Sequence, residues 1–199
     1  MTTHPVQLQV EPPPLTERVH VVIRILFLVA LGMVGLSWAS CFLYLALPAL
    51  VALRILNRGA ERYLAEDAPR VVRVLRWLAS ASAYLALLTD VLPTSEGSPV
   101  DLAVTPSGTP TATSALLRLI TSLPAVIVLS LLSVAAGIVW AVGAVLALIR
   151  RRMPGLIADF LALVLRYQFR LFAYHLSLVD RYPSFEESRT AHAAGSTAA

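Results

Sequence analysis

Charge is scarce in this sequence: Asp, Glu, Lys and Arg make up 14% of 199 residues, where a soluble domain carries roughly a quarter. That shortage excludes an ordinary water-soluble domain. The 57% hydrophobic content and mean hydropathy of +0.74 read instead as an integral membrane protein. The single cysteine, Cys41, excludes an intramolecular disulfide. Lysine is absent, all sixteen basic residues being arginine, and Ala and Leu dominate the rest, the coding bias of a GC-rich bacterial genome. His4, His20, His175 and His192 lack any spacing that would set two ligands on one helix face, so no metal is expected. There is no Gly-rich phosphate loop, no Gly-x-Ser-x-Gly elbow and no Cys-x-x-Cys, so neither a cofactor nor an enzyme is expected. The net charge of +4 and pI near 9.7 do not indicate nucleic acid, because the arginines flank apolar segments and do not gather with aromatic partners. Arginines so placed mark the lipid bilayer as the partner.

What is present is a duplication. Residues 166–185, RYQFRLFAYHLSLVDRYPSF, echo residues 76–95 at an offset of ninety, which aligns Arg76 with Arg166, Tyr84 with Tyr174, Asp90 with Asp180 and Pro93 with Pro183. Residues 4–10 (HPVQLQV) and 98–104 (SPVDLAV) share the period-two alternation of a half-buried strand at an offset of ninety-four. Residues 25–53 and 119–149 carry no charge. The first of these runs is about 43 Å long as a helix, more than the roughly 30 Å hydrocarbon core requires.

These patterns predict an all-α integral membrane protein, a tandem repeat of strand, transmembrane helix and amphipathic helix. Four membrane-embedded helices would accompany a short two-stranded β element. The first repeat is 1–97, with a strand at 4–10, a span at 25–53 and an amphipathic helix at 69–92. The second is 98–188, with a strand at 98–104, a span at 124–149 and an amphipathic helix at 155–180, and 189–199 form a disordered tail. Gly32, Gly35, Gly137 and Gly143 are candidate close-packing sites between helices.

Two groups of charged residues stand out. In the last helix Asp159, Arg166 and Arg170 lie nearly on one line, a polar seam that faces water if the helix is interfacial or the bundle interior if it crosses. Asp90 and Asp180 fall at helix C-termini, where the helix dipole disfavours a carboxylate. Each therefore needs a cation, and Arg24 with Asp90 and Arg118 with Asp180, or the crossed pairs, are the expected structural clasps. With four crossings, eight arginines (54, 58, 62, 70, 73, 150, 151 and 152) face five (18, 24, 118, 181 and 189) across the membrane. That count places the connectors in the cytoplasm of a multi-pass protein of the bacterial plasma membrane.

The same residues resemble an uncharacterised bacterial membrane family, common in actinobacteria, known as domain of unknown function 4389. Its pattern is carried by Pro154, Gly155, Asp159, Phe160, Leu165, Arg166, Arg170, Ala173, Tyr174, Asp180, Tyr182, Pro183 and Phe185. The first copy keeps His4-Pro5-Val6, Arg76-Trp77, Ala83-Tyr84, Thr89-Asp90 and Pro93, but has Ser80 and Val91-Leu92 in place of the family's Arg and Arg-Tyr. The resemblance implies two tandem copies and no activity. The functional expectation is a non-catalytic membrane accessory or scaffold protein, a homo-oligomer or part of a larger membrane complex. The alternative is a transporter or channel for an anionic solute or lipid headgroup that uses the arginine seam.

Overall fold

The computed structural model describes residues 4–10, 18–33, 36–93 and 99–184, without the side chains of 29–43. The expected tail at 189–199 and the packing roles of Gly32 and Gly35 lie outside the described residues.

Strands β1 (Val6–Val10) and β2 (Val100–Val104) pair antiparallel, with Val6 opposite Val104, Leu8 opposite Leu102 and Val10 opposite Val100. Their alternation gives the pair two unlike faces. Val6, Leu8 and Leu102 are buried, while Gln9, Asp101 and Ala103 are exposed. The register is symmetric with respect to the ninety-four-residue offset. Val6 meets the counterpart of Val10, and Leu8 meets its own counterpart, so a local two-fold axis passes through the Leu8–Leu102 pair at right angles to the strands.

The helices are α1 (Arg18–Met33), α2 (Leu36–Arg58), α3 (Ala60–Arg62), α4 (Ala68–Leu85), α5 (Ala112–Thr121), α6 (Leu123–Arg150) and α7 (Gly155–His175), with a π-helical turn at Tyr63–Asp67 joining α3 to α4. Thr111 opens α5 with a capping box closed by Ser114, and Pro69 and Pro124 occupy the first turns of α4 and α6. The strand pair rests on α4 and α7, β2 on the former and β1 on the latter. These two helices run antiparallel: Arg70, Val71 and Val74 share a groove with Phe172 and Leu176, and Ser82, Leu85 and Ala86 share another with Leu161, Val164 and Leu165. On its other side α7 is followed back along its length by α6, with Ala125 packed against Tyr167 and Leu171, and Gly143 against Met153 and Ile157. Gly143 has the close approach expected of it, whereas a Cβ at Gly137 would meet nothing within 4 Å.

The four-helix membrane repeat is not what forms. Among the described residues one helix, α6, is long and apolar enough to cross a membrane, which gives no support to a multi-pass arrangement. Within the uncharged stretch 25–53, the part described in α1 packs on α6 and the part described in α2 packs on α5. Nor is α7 a lipid-facing amphipathic helix. Leu161, Leu165, Phe169 and Ala173 are buried in the main core, which also takes Val6, Leu8 and Leu102 from the strands and Val72, Leu75 and Ala79 from α4.

The outer surface of α6 carries Ile127, Leu131, Val134, Ile138, Val142, Val145 and Ile149, all exposed. At 3.6 residues per turn they fall within an arc of about 80°.

Candidate functional site

Both α4 and α7 end in the same Schellman turn. In the first, Leu87 N–H donates to Tyr84 O at 3.2 Å and Leu88 N–H to Ala83 O at 2.9 Å; in the second, Ser177 N–H donates to Tyr174 O and Leu178 N–H to Ala173 O, each at 3.0 Å. The turning residues Leu87 (φ 63°) and Ser177 (φ 53°) are left-handed without being glycine, which costs on the order of 1–2 kcal/mol each. The left-handed step folds the chain back, so that the aspartate three residues later stands beside its own helix end.

An arginine enters each turn. Arg24 of α1 is 0% exposed, and its Nη2 donates to Thr89 O and Asp90 Oδ1, both at 2.7 Å. Its guanidinium lies 4.0 Å from the centre of the Tyr84 ring, whose hydroxyl meets His20 Nδ1 at 2.8 Å. Arg118 of α5 donates through Nη1 to Tyr174 O and Val179 O, both at 2.7 Å, and through Nη2 to Asp180 Oδ1. It lies 4.7 Å from the Tyr174 ring centre, and the Tyr174 hydroxyl meets Thr121 Oγ1 at 2.9 Å. A guanidinium placed here satisfies carbonyls that the helix leaves open and sits at the negative end of the helix dipole. The structure thus brings Arg24 to Asp90 and Arg118 to Asp180, not the crossed pairs.

The second clasp has further neighbours among the described residues. Gly108 (φ 87°) lies so near that a Cβ would overlap the Asp180 carboxylate, and Ser107 N–H donates to Leu178 O at 2.9 Å. Ser122 Oγ lies 2.6 Å from His175 Nε2 and 2.8 Å from the Tyr44 hydroxyl. A serine and a histidine at that separation have the reach of a nucleophile and base, but both are fully buried. Burial, reinforced by Arg118, also pushes the His175 pKa down to about 4. Tyr63, in the π-helical turn, donates to Leu176 O, and burial raises its phenol to about 12. Sequence reasoning missed Tyr44, Tyr63, Gly108 and Ser122. Only Gly108 carried a signal, as the glycine of a Pro-Ser-Gly-Thr-Pro connector.

The seam residues are placed differently from the clasps. Asp159 is exposed and about 10 Å along the helix axis from Arg166. Arg166 Nε donates to Ala162 O of its own helix at 3.3 Å, and Arg170, buried, donates to Ser184 O at 2.5 Å. Arg76, the counterpart of Arg166, donates to Leu102 O of β2 at 3.0 Å. Two grooves of about 330 Å³ flank the α4–α7 pair, and neither is lined by Arg166 or Arg170. No group of three or more His, Cys, Asp or Glu stands together as a metal site among the described residues.

The Arg118 clasp, with α6 and α7 between its two residues, lies in the stretch that is similar to a known family. Residues 112–186 match the family model of a domain of unknown function, DUF4389. The DUF4389 match opens at the first residue of α5 and closes beyond Asp180, so it contains one complete clasp. No curated protein and no solved structure matches the chain.

Proposed function

We propose that the chain is a non-catalytic scaffold or accessory protein of the bacterial plasma membrane, built from two tandem DUF4389-type copies of the actinobacterial kind and working as a homo-oligomer or within a larger membrane complex. The observation that carries this reading is the use made of the arginines. Arg24, Arg76, Arg118, Arg166 and Arg170 all donate to backbone carbonyls or clasp carboxylates of the same chain. Arginines spent on holding helix ends and strands are those of a rigid support. The apolar surface of α6 supplies the membrane attachment. Duplication is supported by the strand register and by the two Schellman turns, which share hydrogen bonds at the ninety-residue offset.

Reconstitution tests this. Purified protein in proteoliposomes is expected to give no chloride or phosphate flux above protein-free vesicles, and in nanodiscs to show a mass above that of one chain or to hold a defined partner. Flux that disappears in Arg166→Gln and Arg170→Gln would replace the scaffold with a transporter of anionic solutes.

A further inference from the structure

We infer that α6 does not cross the bilayer but lies in its plane, so that the protein is embedded in a single leaflet with the strand pair in water. The inference rests on the membrane attachment proposed above and specifies its geometry. Arg76 lies midway along α4 and donates to the carbonyl of Leu102, the central residue of β2, at 3.0 Å. The strand pair therefore stands over the middle of the α4–α7 layer. Helix α7 is about 31 Å long, close to the hydrocarbon thickness, and α6 follows it from Ala125 beside Leu171 to Gly143 beside Ile157.

A crossing α6 would therefore carry α7 and the strands with it. Exposed Gln9 and Asp101 would then sit at the centre of the hydrocarbon. Lipid cannot solvate a carboxylate or a carboxamide at that depth.

Turning the molecule by a right angle resolves the conflict. The exposed stripe of α6 then faces the acyl chains along its whole length. It is joined by exposed Val22 and Leu26 of α1, which packs beside α6 through Val21 against Ala144 and Ala147. Asp101 and Gln9, on the far side of the α4–α7 layer, point to water. Exposed Arg18 at the start of α1 and Arg150, Arg151 and Arg152 at the end of α6 lie at the rim of the apolar surface, where guanidinium groups meet phosphate headgroups. The charge of the rim and the net charge of +4 name the partner as one leaflet rich in anionic phospholipid.

Single thiols placed by Thr121→Cys, Arg152→Cys and Asp101→Cys in a Cys41→Ser background test the geometry. Membranes are labelled with an impermeant maleimide from either side, with labelling in detergent as the reference. All three thiols are expected to react from the same side. Reaction of positions 121 and 152 from opposite sides would overturn the in-plane arrangement while leaving membrane attachment intact. Spin labels at 131, 138 and 145 provide a second reading that does not depend on aqueous access. Equal depths support the in-plane helix, and a progressive depth change along the three, or a maximum at 138, overturns it. Release of the protein into the supernatant by alkaline carbonate would remove both the geometry and the attachment on which it rests.

Discussion

Arg118 holds Tyr174 twice, donating to its backbone carbonyl at 2.7 Å while its guanidinium stands 4.7 Å from the centre of the same residue's ring. One side chain thus fixes both the end of α7 and the rotamer of the aromatic residue in its last turn. Arg24 stacks on Tyr84 in the equivalent place and takes the carbonyl of Thr89, as Arg118 takes that of its counterpart Val179. The two clasps share that carbonyl, and Arg118 closes the carbonyl of Tyr174 as well.

The arginine side of each clasp is expected to matter more than the aspartate side. Asp180 is 51% exposed and Asp90 19%, so Asp180→Asn leaves a well-solvated contact and costs about 1 kcal/mol or less, with Asp90→Asn costing more. Arg118→Ala gives up two carbonyl contacts and the stacking as well, and is expected to cost about 3 kcal/mol. Thermal midpoints in detergent give the order, and equal midpoints for Arg118→Ala and Asp180→Asn would contradict it.

Gly108→Ala is expected to act as a clasp mutation from outside the clasp. The added Cβ collides with the Asp180 carboxylate, and φ of 87° is strained for any L residue. The loss should reach about 2 kcal/mol. In combination with Asp180→Ala the two losses should be less than additive, because the collision is then gone; full additivity would show that Gly108 acts elsewhere.

The two left-handed turns should respond oppositely to glycine. Ser177→Gly relieves the backbone and removes a buried Oγ that has no hydrogen-bond partner among the described residues, a gain of about 1–2 kcal/mol. Leu87→Gly relieves the same strain but empties a site where Leu87 packs with Val21, Ala144 and Ala147, and loses about 2 kcal/mol net. Denaturation in detergent measures both, and a stabilised Leu87→Gly would mean that the packing there is weak.

Acid should destabilise the fold through two histidines. Burial lowers the His4 pKa, with Arg170 and Arg181 adding to the effect, and burial next to Arg118 lowers that of His175 to about 4. An unfolded histidine titrates near 6.5. The folded state therefore binds fewer protons than the unfolded one between about 4 and 6.5. Stability is complete above that window and falls as pH drops through it, by roughly 3 kcal/mol at most for His175. Thermal midpoints between pH 4 and 8 should show this slope, and His175→Gln should flatten much of it.

The strands were legible in sequence because period-two alternation survives in HPVQLQV and SPVDLAV. A carboxylate at a helix end requires a cation, which left Arg24 with Asp90 and Arg118 with Asp180 open beside the crossed pairs; the structure sets Arg24 Nη2 2.7 Å from Asp90 Oδ1. The environment of α7 was not legible. A narrow polar seam on an apolar helix has the same pattern whether it faces water, a bundle interior or a strand edge, and only the structure shows Arg76 donating to Leu102 O and Arg170 to Ser184 O. The different neighbours of α1 and α2 were equally hidden, since an uncharged run does not record what each of its halves packs on.

The strand register also sets an order of events at the ribosome. Val6 and Leu8 are made before their partners Val104 and Leu102, which follow some ninety residues later. At about 5–20 residues per second that is a wait of roughly 5–20 s. During this interval the first strand waits without its native partner, so the sheet that caps the α4–α7 layer closes only after the second strand has been made.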